Sequence, residues 1–403
     1  MHNEERLARE ALVGWDRARL ENARVVVAGA GAAGNNAVQV LSLCHVGELR
    51  IVDADRYDAS NVSRSPLLGR GQQHHGVVGK AEELARAALD VHGAQCPTIR
   101  HAHARIEELG YGAFEGADVI VSAVDSFAVR GYLATAARRL GVPFVEMGFR
   151  EPFGHASIVP NGDADQACFH CFQPRASVAR APCSLYARRL ESAGRVPATQ
   201  PLAAAVSAFA ASFIIRAIHG DLPPEPVVST VNLERCTADR MTVTRSPSCF
   251  FHTEHLRDVS EISLHPLASA EALFRAAKSI GVKRPALRLR RRFLVDAPCE
   301  TCGRAVSIHR AFDDVSDVPT CGPSCARGAT DDDPSLINII DEVMPNDAVA
   351  SMPLTTLGYA ARDVVEIIDK ASGSMHAFRL DGSIDEIFST IRRHDPPAAA
   401  SNG

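Results

Sequence analysis

The sequence has no surplus of positive charge. Its 43 Lys and Arg are outnumbered by 48 Asp and Glu, giving a net charge of −5. That balance provides no electrostatic case for binding nucleic acid or an anionic membrane. A long hydrophobic run is also missing. The most apolar stretch, "LAAAVSAFAASFII" from Leu202 to Ile215, is too short for a membrane span and reads as a buried helix. Met1 to Leu20 is charged ("NEERLARE", "DRARLE") and lacks an apolar centre, so no signal peptide is expected. There is no internal repeat. The eleven cysteines are odd in number and include several closely spaced pairs. This suggests a reducing, cytoplasmic setting with metal sites rather than a secreted disulfide framework.

What is present fits one large α/β domain with additions, in a chain of 403 residues. A helix is expected over 4–22. Residues 24–29 read as a buried strand running into a glycine turn and a helix to about Leu43. "ELRIVDAD" is a second strand, "AEELARAALDVH" a helix and "TIRHAHARI" a strand. "ADVIVSAVD" is an apolar strand ending in Asp125, followed by the helix "RGYLATAARRLG" and the strand "PFVEMGF". Strands alternating with helices imply a Rossmann-like, doubly wound, mostly parallel sheet. A long helix over 201–218 and a β-hairpin in "VVSTVNLERCTADRMTVTR" follow. The expected divisions are an N-terminal helix (1–22), a main domain (23–255), a helical connector (256–290), a cysteine-rich knuckle (291–330), a small α+β extension (331–390) and a disordered tail (391–403). Within them, "LRLRRRF" (Leu287 to Phe293) reads as an edge strand defended by charge. "DVVEIIDKASGSMHAFRLDG" reads as a hairpin.

The chemistry starts at "AGAGAAG". Gly29, Gly31 and Gly34 form a GxGxxG between strand and helix, which cradles phosphate at a helix N-terminus. Asp53 ends the second strand, placed for a ribose hydroxyl. Alone, these residues suit NAD, FAD or ATP. The continuation "VDADRYDASNVSRS" adds Asp55, Asn61 and Arg64, and "GVVGKAEELA" adds Lys80. Two cations and an amide suit a triphosphate better than a pyrophosphate held by backbone amides. Asp125, on the same carboxyl edge, can hold magnesium against phosphate oxygens.

This arrangement resembles the ThiF/MoeB/ubiquitin-activating-enzyme superfamily from about Leu20 to His255. The matching features are the glycine turn, "VDADRYDASNVSR" against D-x-D-x-(V/I)-x-x-SN-x-x-R, the GK lysine, and "SAVDSFAVR" against D-x-x-x-x-R. The resemblance implies MgATP-dependent adenylation of the C-terminal carboxylate of a ubiquitin-like or sulfur-carrier protein by a homodimer. It assigns ribose to Asp53, the triphosphate to Asn61, Arg64 and Lys80, magnesium to Asp125 and a supporting role to Arg130. Arg9 is the candidate for an arginine inserted into the partner subunit's ATP site. Cys183, in an arginine-rich crossover before the long helix, is the candidate thioester nucleophile, with a conjugating enzyme as a further partner. Adenylation of a peptide or small-molecule carboxylate, a non-catalytic scaffold and an NAD-dependent dehydrogenase are the alternatives.

Two cysteine sets remain. "CFHC" and "CFFH" supply Cys168, Cys171, Cys249 and His252, with His255 as an alternative fourth ligand. The resemblance implies one structural zinc here. "CETCG" and "CGPSC" supply Cys299, Cys302, Cys321 and Cys325, which look like a closed Cys₄ zinc site. A crossed pairing of Cys168/Cys171 with Cys299/Cys302 is also open. Cys44 and Cys236 read as packing residues, Cys236 within a strand. "TTLGYAARDVVEIIDKASGSMHAFRLDG" faintly resembles a C-terminal extension of bacterial ubiquitin-activating-like proteins.

Overall fold

The structure, a computed structural model, describes residues 10, 12–57, 59–68, 78–92, 98–163, 165–172, 199–256, 258–315, 320–322, 325 and 337–391. Near the N-terminus, α1 (Arg17–Asn22) is capped by Asp16, whose carboxylate accepts from the Ala18 and Arg19 N–H groups. Next come β1 (Arg24–Ala28), α2 (Ala32–Leu43), β2 (Glu48–Val52), α3 (Lys80–His92), β3 (Thr98–Ala102), β4 (Val119–Ser122), α4 (Phe127–Leu140) and β5 (Phe144–Arg150). These five strands are mutually parallel in the spatial order β3-β2-β1-β4-β5. The apolar character of β1 and β4 follows from burial on both faces. Val25 and Val27 enter one core with α2 and α3, while Val26 and Ala28 enter the other with Leu133 and Ala137 of α4. The order reverses between β1 and β4, so the crevice for a ligand opens there, at the carboxyl ends of the strands.

The sheet continues antiparallel through β6 (Phe153–Val159), β7 (Val227–Asn232) and β8 (Thr237–Thr242). The α5 helix (Gln200–Ile218) buries Leu202, Val206, Ala210 and Ile214 in the core shared with α2. At nineteen residues it is longer than its apolar run, and by length and composition it could cross a membrane, yet half of its apolar window is buried inside the protein. Cys236 lies in the exposed β7–β8 turn with φ 51°, not in a strand. Cys44 is buried at the end of α2, where burial pushes its thiol up to about 11.

The C-terminal part differs from the expected division. β9 (Ser260–Glu261), α6 (Ala270–Ser279), β10 (Pro285–Pro298), β11 (Ala305–Ala311), β12 (Asn338–Val343), β13 (Val364–Asp369) and β14 (Met375–Arg379) make one second unit. The expected boundary at 290/291 falls inside β10, and among the described residues the connector contains only the ten-residue α6 as helix. β15 (Ser389–Ile391) then returns to the large sheet and pairs antiparallel with β3. Instead of lying at an edge, β10 is the central strand, pairing with β11, β12 and β13.

The basic run on β10 has a specific use. Arg290 turns inward, chelates the fully buried Asp363 carboxylate, and lies 4.8 Å from the Tyr111 ring and 5.2 Å from the Tyr359 ring. Asp363 also accepts from the backbone N–H groups of Tyr111 and Val364, each at 2.8 Å. Burial works against the Arg290 charge, but Asp363 outweighs it and keeps the guanidinium protonated. Gly110 makes this approach possible: its φ is +65°, and a Cβ there would stand 2.0 Å from an Asp363 oxygen. Arg362 adds a two-pronged bond to Glu115 at 2.7 and 3.0 Å. The two units are thus joined through buried charge. Asp363→Ala should lower stability by about 3–5 kcal/mol, because Arg290 would remain buried and unpaired. Urea unfolding followed by circular dichroism checks this. An unchanged midpoint would show the pair to be dispensable.

Candidate nucleotide site and cysteine clusters

The glycine turn joins β1 to α2 at the order reversal. Gly29 has φ +99°, and a Cβ there would lie 2.5 Å from the Ala123 carbonyl oxygen. A Cβ on Gly34 would lie 1.8 Å from the Gly29 carbonyl oxygen. Both are therefore required by close backbone packing. Gly31 differs: its φ is −71°, and an added Cβ would meet nothing within 4 Å. The fold has no need of a glycine there. It opens the start of α2, where no side chain caps the first N–H groups. Such a helix start accepts an anion.

Asp53 borders this opening. One of its oxygens accepts from the Ala30 N–H at 2.7 Å and the other from the Asp55 N–H at 2.8 Å. Burial pushes the carboxyl above its usual range, opposed by those two bonds and by Lys80. Each oxygen keeps acceptor capacity for a ribose hydroxyl. Lys80, at the start of α3, lies 2.9 Å from the Asp55 carboxylate, and its N–H donates to the Asp55 carbonyl at 2.8 Å. Asp55 thus positions the lysine, a role its sequence position did not reveal. Asn61 and Arg64 lie in the 3-10 turn Ala59–Arg64 beyond β2. Arg64 has no anionic partner among the described residues. Asp125 is exposed just past β4, immediately before the Ser126 cap of α4. Arg9 and Cys183 lie outside the described residues.

Asn35, Glu146 and His155 belong to no motif that the sequence alone declares. The Tyr57 hydroxyl donates to the Ala30 carbonyl, and the buried Asn35 side chain accepts from the Leu67 N–H at 3.0 Å. Arg130 donates through Nε to the Val124 carbonyl at 2.9 Å, one residue before Asp125. Its Nη1 meets the fully buried Glu146 at 2.8 Å, and the other Glu146 oxygen faces His155 Nε2 at 2.8 Å. Burial raises the Glu146 pKa, but the His155 charge and hydrogen bond, followed by Arg130, outweigh it and hold the carboxyl below its usual range. A single acidic letter in "PFVEMGF" gave no sign of this.

The ligand atoms of Cys168, Cys171, Cys249 and His252 lie within 4.8 Å of one another, and so do those of Cys299, Cys302, Cys321 and Cys325. Thus His252 rather than His255 joins the first set, and the crossed pairing is not what the fold assembles. Sγ of Cys168 lies 3.8 Å from Cys171 and 3.7 Å from Cys249, and Cys171 lies 3.0 Å from His252 Nε2. Arg245 Nε donates to His252 Nδ1 at 2.9 Å, which leaves the ring proton on Nε2 facing Cys171; ligation through Nε2 therefore requires Arg245 to give up that bond. Burial, then the neighbouring Cys171 and Cys249, push the Cys168 thiol up to about 12. A divalent cation reverses that pressure, so the donor set fits one.

The ThiF family model matches residues 6–250, more than half of the chain. The chain belongs to the ThiF family. This ThiF-family chain is 33% identical over 161 residues to the SAMP-activating enzyme E1 of Haloferax volcanii, covering 39% of the chain and 56% of that relative. It is 28% identical over 164 residues to ubiquitin-like modifier-activating enzyme 5 of Dictyostelium discoideum, covering 38% and 42%. The chain thus spans about half the length of the curated relatives it matches. Among solved structures, E. coli MccB with MccA-N7isoASN shares the fold at TM-score 0.51 and 20% identity, over 62% of this chain and 75% of that one.

The Glu146 network yields an acid-side prediction. Its folded pKa is depressed, so its stabilising contribution is complete above the ordinary glutamate pKa of about 4.3 and fades as pH falls through the lower folded value. Glu146→Gln should therefore flatten the loss of stability on the acid limb below about pH 4.3. Urea midpoints measured across that range test it, and an unchanged slope would contradict it.

Proposed function

We propose that this ThiF-family chain is an ATP-dependent adenylyltransferase acting on the C-terminal carboxylate of a ubiquitin-like or sulfur-carrier protein. The observation that carries the reading is Gly31. The backbone conformation does not require a glycine there, yet it leaves the start of α2 open beside Asp53. In this reading α2 receives phosphate on its first N–H groups and Asp53 holds the ribose. Asn61, Arg64 and Lys80 neutralise the triphosphate, with Lys80 exchanging Asp55 for a phosphate oxygen. Asp125 fits magnesium, which when bound adds positive charge against the phosphates. Arg130, braced by Glu146, holds the backbone beside Asp125. A carboxylate oxygen of the acceptor attacks the α-phosphorus, and the bond to the departing pyrophosphate breaks. Catalysis of this kind rests on positioning and charge neutralisation. The names of the relatives favour a small protein acceptor.

Further parts of the reading concern partners and the later step. Arg9 would complete the site of a second subunit in a homodimer. Cys183 would take the acyl group from the adenylate as a thioester, releasing AMP, before transfer to a conjugating enzyme. Cys168, Cys171, Cys249 and His252 would hold one zinc that fixes the loop Phe169–Cys171 to the segment after β8.

Pyrophosphate exchange into ATP in the presence of a cognate ubiquitin-like protein tests the reading. Arg64→Ala should reduce exchange by about 100-fold, the scale for removing one donor to developing charge, and Asp125→Ala should abolish it. Exchange driven by a short peptide but not by a protein would favour peptide adenylation, and no exchange with either would contradict a protein- or peptide-activating enzyme. Gly31→Ala should keep the thermal midpoint of the parent but weaken ATP binding roughly tenfold or more, about 1.4 kcal/mol. Gly29→Ala should instead destabilise the fold. Cys183→Ala should retain exchange and lose any thiol-sensitive conjugate. Such a conjugate surviving in Cys183→Ala would exclude this nucleophile.

A further inference from the structure

Beyond the family match, four cysteines converge at the turn of the β10–β11 hairpin. Cys299 and Cys302 follow β10, and Cys321 and Cys325 return to them from beyond β11. Cys299 Sγ lies 3.6 Å from Cys325 Sγ, and Cys302 Sγ lies 3.5 Å from Cys321 Sγ. A disulfide requires about 2.05 Å. Four thiolates around one zinc, each at about 2.3 Å, stand about 3.8 Å apart along the edges of a tetrahedron. The observed spacings fit the tetrahedron. The backbone is also arranged around the sulfurs. The Cys321 N–H points at Cys299 Sγ at 3.3 Å, while the Cys299 N–H donates to the Arg304 carbonyl at 2.8 Å. Gly303 takes φ +75°, which closes the turn. All four positions of the tetrahedron are supplied by protein, so such a site is structural.

The other end of this hairpin reaches the main domain. After β11, Phe312 packs against Leu294 and Ala297. Asp314 accepts from Arg291 of β10 at 3.0 Å and from Arg105 at 2.9 Å. Arg105 lies just beyond β3, on the same carboxyl rim as Asp53, whose N–H donates to the Ala102 carbonyl at 3.2 Å. Tying Cys321 and Cys325 to the hairpin therefore fixes the chain on the far side of Asp314.

We propose that Cys299, Cys302, Cys321 and Cys325 form a tetrathiolate zinc site that holds Asp314 on Arg105 and so braces the second unit against the rim of the main sheet. Elemental analysis of the full chain should find two zinc ions per chain. Cys325→Ser and Cys302→Ser should each lose one, while Cys168→Ser should lose the other and keep this one. The paired variants separate this site from the Cys168 set. In the Cys168→Ser protein exchanged with cobalt, thiolate-to-metal charge transfer and a strong tetrahedral visible band are expected. Hydrogen exchange over residues 305–315 should rise in Cys325→Ser while that of α2 stays protected. Zinc unchanged by Cys325→Ser, a wild-type chain holding no zinc that depends on these cysteines, or a Cys299–Cys325 disulfide in the purified protein would overturn the site. Unchanged exchange over 305–315, with zinc lost, would overturn the brace.

Discussion

The structure depends on the close approach of one helix to one strand. The Gly29 carbonyl and the Gly34 backbone meet with no room for a Cβ between them. That contact fixes the N-terminus of α2 above the end of β1, at the place where the parallel strand order reverses. The crevice, the open face of Gly31 and the row of polar residues at the neighbouring strand ends follow from it. The ends of β2 and β4 and the start of α3 lie toward one rim because the sheet is parallel there and these strands end on the same side.

Charge on that rim is managed by specific neighbours. Lys80 is largely covered and pairs with the exposed carboxylate of Asp55. Arg130 is secured from behind by Glu146, itself completed by His155. The first pairing is open to solvent on the Asp55 side, and the second is enclosed at Glu146. A second buried pair, Arg290 with Asp363, joins the C-terminal unit to the Tyr111 loop, and β15 fastens the same unit to β3. The rim is therefore buttressed by chain from far beyond the family match.

The glycine turn, the parallel strands and the cysteine sets were legible in the sequence because each is local. A strand, a turn and a helix within twenty residues announce themselves by period and by glycine. Cysteines spaced for one turn likewise mark candidate ligand pairs, and the coordinates show which pairs come together. The basic run on β10 misled for the opposite reason. Its partner Asp363 lies 73 residues away, and charge in a strand ordinarily signals solvent. Cys236 was misplaced because its hairpin turn uses a left-handed residue that is not glycine. Glu146 and His155 are nine residues apart on adjacent strands, and nothing in the letters distinguishes them from surface charges.

The central claim is that the opening beside Gly31 accepts a nucleoside triphosphate rather than a dinucleotide. Calorimetric titration of the full chain with ATP and magnesium, and separately with NAD, measures this most directly. Saturable binding of ATP that requires the divalent ion, with no heat from NAD, is the predicted result. Binding of NAD at that site, or no binding of ATP, would contradict it.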